Sequence, residues 1–268
     1  MAITPSIAGA DFDSTLDLPT SGDPRHNATL TLTVRYRLVF ADSKNRAGII
    51  VTVEGSPRAR DGTGFRHFIL DWDGPTRLKF TRALWRAERI WSFKFLLTPP
   101  MRYDGLDLPH PNKGWKFRPN VLCAFRFVPD DKPHITVTAV RAEGAMAGAF
   151  TSHAARATPR DMVLDYNDPW RPTLGHELGH VLGMLHILAL KGDKACLADA
   201  NAERCYGEKD YEKANIMGSG RELWPLNALP WRERIAAHTG VAADEWSVSM
   251  DMTRAPTVIG NGSSLLDI

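Results

Sequence analysis

Three cysteines in a chain of 268 residues are too few to staple a fold together, so stability has to come from a buried apolar core. Long apolar runs are missing too. The longest stretch, from Val181 to Leu190, is broken by Gly183 and His186 and is far shorter than the roughly 20 residues a membrane-spanning helix needs, so no membrane insertion is expected. Charge excess is also absent: 33 basic against 31 acidic residues leave a formal +2, too small to argue for nucleic acid or an anionic membrane surface, and neither is expected as a partner. The opening residues MAITPSIAGADFDSTLDLP show no basic cluster followed by an apolar core, and so do not read as a secretory signal. Either a signal has been trimmed away, or the protein leaves the cell by another route, or it stays inside; delivery by a non-classical route, with action outside the producing cytoplasm, is the expectation among these.

What is present is an ordinary globular balance, 43% hydrophobic and 24% charged, on a chain long enough for one large domain or two modest ones. Cys196 and Cys205 enclose a short polar segment and can pair in an oxidising compartment. The alternative is three reduced thiols, with Cys123 in the apolar run VLCAFRFV reading as a buried strand residue.

Residues 1–27 are rich in Asp, Pro, Ser and Thr without periodicity and read as a flexible lead-in or linker. Residues 28–268 read as a single domain, divided into an N-terminal part (28–186) and a smaller C-terminal part (187–268). Ala28 to Phe40 alternates apolar and polar positions and predicts a strand, as does Gly48 to Val53, which could complete a hairpin. Pro75 to Trp91 changes to helical spacing, with Leu78, Ala83 or Leu84, Trp85 and Ile90 on one face and Asp73 or Thr76 as cap. Strands are expected at Phe93 to Leu97, Val121 to Val128 and His134 to Val140, with Pro129 to Pro133 turning between the last two. A weak strand at Gly144 to Thr151 and a stronger one at Met162 to Tyr166 follow. Asp168 then offers an N-cap, with Pro169 at the first position of a helix running through His180 to about Gly183. Residues 187–216 carry few regular signals, Pro230 to Thr239 reads as a short helix closed by Gly240, and the chain from Ala255 onward looks loosely held.

The stretch Thr173 to His186 reads TLGHELGHVLGMLH and contains H-E-x-x-H extended to H-E-x-x-H-x-x-G-x-x-H. On a helix, His176 and His180 lie on one face a turn apart, so both imidazoles can point at one ion. Gly183 can take the positive φ that ends the helix and brings His186 back as a third ligand. Three imidazoles leave one position open, which describes a catalytic rather than a structural zinc. Glu177, next to His176, can take a proton from the attacking water and pass it to the leaving amine, while zinc polarises the substrate carbonyl.

The extended motif resembles that of the metzincins, zinc metallopeptidases in which a methionine in a tight turn lies beneath the metal. Met217, in NIMGSG, is the matching candidate. The resemblance covers about residues 145 to 240. It implies an α/β fold with a mixed, mostly parallel twisted sheet, an antiparallel edge strand near Gly144 to Thr151, the active-site helix, the methionine turn and a last helix near Pro230 to Thr239. Ile187 after the third histidine assigns no branch, and no tyrosine follows Met217 where astacin-like and serralysin-like enzymes place one. Tyr206, Tyr211, Arg221 and His238 are candidates for contacts with substrate or oxyanion. The NIMGSG turn also resembles metallopeptidase toxin domains delivered by bacterial type VI secretion.

The substrate implied is a protein or peptide paired along the edge strand, with a pocket beyond the scissile bond walled by Ser219 to Trp224. An inhibitor or immunity protein would be a natural partner. A domain that retains zinc but only binds a protein is the competing reading, and it gives no reason for Glu177 beside an open metal position. His26, His67, His110, His134 and His153 have no partner at metal spacing and read as surface or hydrogen-bonded residues, and the tryptophan pairs Trp85 with Trp91 and Trp224 with Trp231 read as packing.

Overall fold

A computed structural model describes residues 3–19, 27–41, 71–111, 114–141, 153–155, 161–199, 202–260 and 265–266. It is a mixed α/β structure with a mostly antiparallel mixed sheet and several helices. Strands β1 (Ser6–Ile7), β2 (Asp13–Asp17) and β3 (Ala28–Phe40) precede helices α1 (Gly74–Leu84) and α2 (Arg86–Trp91). Then come β4 (Leu96–Thr98), β5 (Leu108–Pro109), β6 (Lys116–Arg118), β7 (Val121–Pro129), β8 (Ile135–Val140), β9 (His153–Ala155) and β10 (Asp161–Asp165). Helices α3 (Thr173–Val181), α4 (Ile187–Leu190), α5 (Lys194–Ala198), α6 (Asp210–Ala214) and α7 (Leu229–Thr239) follow, and β11 (Ser247–Ser249), β12 (Thr257–Ile259) and β13 (Leu265–Leu266) end the described chain.

The chain divides into two compact units, one of Met1–Val34, Glu88–Arg126 and Glu222–Ile268, the other of Arg35–Ala87 and Phe127–Arg221. In the first, β2 runs antiparallel to β3 from Asp13 opposite Thr33 to Asp17 opposite Thr29. The supposed lead-in is therefore partly a strand: Phe12, Ser14 and Leu16 are buried, and Ser14 and Leu16 keep the period of two that the abundance of Asp and Ser obscured. β4 pairs antiparallel with β7 and with β11. A separate sheet runs β13-β12-β6-β5, so the tail after Ala255 is tied down by β12 against β6. In this unit α7 ends as its sequence predicts, with Gly240 at φ 74°, and Trp231 on α7 is fully buried and donates to Ala124 O at 2.9 Å.

In the second unit the end of β3 runs parallel to β8, and β8 parallel to β10. β8 thus pairs with β3 and β10, and Pro129 to Pro133 does not close a hairpin. β9 lies antiparallel to β10 and ends the strand order among the described residues. The sheet is not mostly parallel, because the short strands β1, β2, β4, β9 and β11 all add antiparallel pairs and most of them have no clear periodic signal. The expected strands at Gly48 to Val53 and Gly144 to Thr151 lie outside the described residues.

Asp73 caps α1 by accepting from Thr76 N at 2.7 Å, with Pro75 in the first turn. One long helix to Trp91 was expected, but α1 stops at Leu84, and its buried face is Phe80, Ala83 and Leu84 while Leu78 and Trp85 are exposed. Asp168 likewise caps no long helix: Asp168–Trp170 forms a separate 3-10 turn, and α3 begins after Pro172. Proline forces the preceding residue out of helical conformation, and Arg171 is extended at φ −107°, ψ 170°. The Asp168 carboxylate instead accepts from Asp165 N at 2.5 Å, which fastens the end of β10 to the turn leading into α3.

Candidate metal centre

Helix α3 buries Leu174, Leu178 and Val181 and turns His176 and His180 to the same side. It ends in a paired cap: Gly183 N donates to His180 O and Met184 N to Gly179 O, both at 2.9 Å, with Gly183 at φ 95°. That is the left-handed closure in which glycine carries no steric penalty, and it reverses the chain within one residue. His186 follows in extended conformation as the residue preceding α4. The three Nε2 atoms converge, with His180 Nε2 at 3.1 Å from that of His176 and 3.2 Å from that of His186.

The outer nitrogens decide what this convergence means. Nδ1 of His176 donates to Ile216 O at 2.8 Å, and Nδ1 of His180 to Met184 O at 2.9 Å. With the proton on Nδ1, each Nε2 carries a lone pair, so the two facing nitrogens cannot bond each other and call for a cation between them. Zinc–nitrogen bonds of about 2.0–2.1 Å at tetrahedral angles put ligand nitrogens about 3.3 Å apart, close to what is seen. Burial depresses the His176 pKa to about 4 and, together with the charge of His176, that of His180 to about 3, so both rings are neutral at physiological pH, as ligands must be. Among the described residues, His176, His180 and His186 are the group able to hold a metal ion.

The floor of the site is the turn after α6. Met217 is fully buried, and a Cβ placed on Gly179 would come within 2.2 Å of its sulfur, so the turn of α3 between the two histidines must be glycine for the thioether to reach it. Met217 O accepts from Ile187 N at 2.9 Å, next to the third histidine, while Asn215 Oδ1 accepts from Met217 N at 2.9 Å. Ile216, Met217 and their neighbours thereby hold the orientation of His176 and the position of His186 together.

Glu177 is buried and lines, with His176, a cleft of about 370 Å³ whose other wall includes Tyr206, Gly218 and Ser219. Tyr206 lies over the histidines, its ring 3.8 Å from that of His186 and 5.7 Å from that of His176. Burial, then the Glu177 charge, raises its pKa above the ordinary phenol value. Its 3-10 turn is held by the Cys196–Cys205 disulfide and by Glu212, whose carboxylate accepts from Lys191 Nζ at 2.5 Å and from the backbone nitrogens of Glu208 and Lys209. Cys123 is a buried free thiol.

The remaining candidates lie elsewhere. Tyr211 is exposed and donates to Glu212 at 3.4 Å, and Arg221 is exposed and does not line the cleft. His238 belongs to the other unit and is buried, with Nδ1 bonded to Thr4 O and Nε2 to Ser14 Oγ. Those bonds fully account for it, so it is no oxyanion group. His134 is engaged at both ring nitrogens by Arg35. Of the proposed pocket wall, Ser219 and Gly220 line the cleft, whereas Trp224 falls in the other unit. Sequence reasoning missed the Ile216 and Met184 carbonyls, which leave no mark in side-chain patterns, and missed Gly179, whose small size facing Met217 was the available signal.

No protein-family model, curated protein or solved structure matches this chain.

Proposed function

We propose that this protein is a zinc-dependent endopeptidase of the metzincin type, with His176, His180 and His186 as metal ligands, Glu177 as general base and Met217 as the floor of the site. The observation that carries the reading is the combination of three converging Nε2 atoms with a buried carboxylate on an open cleft. A zinc ion held there supplies Lewis acidity toward a peptide carbonyl and lowers the pKa of water. Glu177 takes the proton that the attacking water loses and delivers it to the amine that leaves, so the carboxylate ends the cycle as it began. The Ile216 and Met184 carbonyls keep His176 and His180 in the tautomer that presents Nε2. β9, the antiparallel margin strand in contact with α3, is where an extended peptide would add as a further strand.

The disulfide beside the site agrees with work in an oxidising compartment, as a secreted or injected effector would do. The test is cleavage of an unfolded, dye-labelled protein by wild type and Glu177→Gln. Both should carry about one zinc per chain, and the variant should cut at least about 10³-fold more slowly, the loss of a general base expected to cost 10²–10⁴. Equal cutting by the two proteins would remove Glu177 from the mechanism, and zinc with no cutting by either would leave a protein-binding domain as the better account.

A further inference from the structure

Nothing in the local sequence distinguishes Tyr206 from Tyr211, yet their surroundings differ. Tyr206 is half-buried in the cleft that His176 and Glu177 line, and its ring lies over those of two histidines. Among the described residues its hydroxyl has no hydrogen-bond partner. A half-exposed phenol on a cleft keeps its hydroxyl available to a group that enters the cleft. The backbone that delivers it is also rigidly placed. Cys205 is bonded to Cys196, and Gly207 sits at φ 122°, with Lys213 N 2.8 Å from where a Cβ would be. Gly218 must lack a side chain because the Tyr206 carbonyl would lie 2.7 Å from its Cβ. Three separate devices thus fix the backbone that carries this phenol, and its ring packs at 3.8 Å, tilted, on that of His186.

We propose that the Tyr206 hydroxyl donates a hydrogen bond to the carbonyl oxygen of the scissile peptide bond as that oxygen gains negative charge. This makes Tyr206 a catalytic residue supplied from before the methionine turn, and it rests on the peptidase reading above. The phenol keeps its proton throughout: water adds to the carbonyl carbon, the π electrons move to oxygen, and Tyr206 stabilises that oxygen until the C–N bond breaks. Tyr211 and Arg221, the other candidates in this unit, do not line the cleft and cannot take the part.

Tyr206→Phe keeps the ring and deletes only the hydroxyl, so the packing on His186 survives. Three quantities are to be measured on wild type and variant: zinc per chain, kcat and KM on the unfolded protein substrate, and the Kd of a phosphinic peptide whose tetrahedral phosphorus carries anionic oxygens. Zinc should stay at about one per chain, kcat should fall on the order of 10²-fold with KM within about threefold, and the phosphinic peptide should bind weaker by a similar factor. Unchanged kcat with unchanged phosphinate affinity would overturn the role, as would a rise in KM alone or loss of zinc from the variant. If the wild type holds zinc but cuts nothing, the phosphinate Kd decides alone. If it holds no zinc, the peptidase reading falls and takes this inference with it.

Discussion

Two histidine environments in this chain, one buried and one half-buried, differ most in what their nitrogens do. His238 on α7 has its Nδ1 bonded to Thr4 O and its Nε2 to Ser14 Oγ, and so fastens a helix to the N-terminal strand region. His176 and His180 on α3 have Nδ1 tied to the carbonyls of Ile216 and Met184, while their Nε2 atoms face each other at 3.1 Å. A histidine is structural when both nitrogens are satisfied by the chain, and it is placed to hold a metal when one lone pair is aimed at others of its kind. A depressed pKa does not separate the two, since desolvation lowers His238 as well.

The sharpest way to break this comparison is to remove one histidine from each environment. His180→Ala should abolish stoichiometric zinc binding and cleavage together, as judged by metal analysis after dialysis. His238→Ala should leave zinc at wild-type stoichiometry and instead cost about 2 kcal/mol in denaturant unfolding, because Thr4 O and Ser14 Oγ lose their partner in the interior. Zinc loss from His238→Ala would erase the distinction.

A smaller effect is expected at the floor of the site. Gly179→Ala places a methyl group 2.2 Å from the Met217 sulfur, and the thioether must swing away. A loss of about 1–3 kcal/mol is expected from such overpacking, accompanied by weaker zinc binding. Gly179→Ala together with Met217→Ala should recover part of that loss, which a clash elsewhere in α3 would not allow.

The smallest effect concerns the loop that carries Tyr206. Lys191 and the two backbone donors hold the Glu212 pKa at about 2, below its usual 4.5. A carboxylate with a depressed folded-state pKa stabilises the fold fully above the unfolded value and loses that contribution as pH falls through the folded one. Thermal unfolding should therefore show wild type above Glu212→Gln at pH 7, with the gap closing between about pH 4.5 and 2. A gap independent of pH would mean that shape, not charge, anchors the loop.

Helix α3 was legible because its pattern is local: spacing of 3.6 residues per turn puts His176 and His180 on one face, and Gly183 announces the reversal. The end of α7 was legible for the same reason, through Gly240. Asp168 misled because a good capping residue four positions before Pro172 cannot start a helix that the proline's neighbour must interrupt. β2 was hidden by its composition, since five residues with Ser14 and Leu16 inward carry little hydrophobic signal until β3 is beside them. The position of Tyr206 depends on a disulfide, a buried glutamate and two glycines at once; Cys205 and Gly207 flank it, but Cys196, Glu212 and Gly218 lie outside its own segment.

The most direct measurement is X-ray absorption at the zinc edge on protein purified with and without added zinc, alongside zinc quantification. About one zinc per chain, bound by three imidazole nitrogens at about 2.0–2.1 Å and one oxygen without sulfur, is the expected result. No stoichiometric zinc, or a shell containing thiolate, would contradict the site built on His176, His180 and His186.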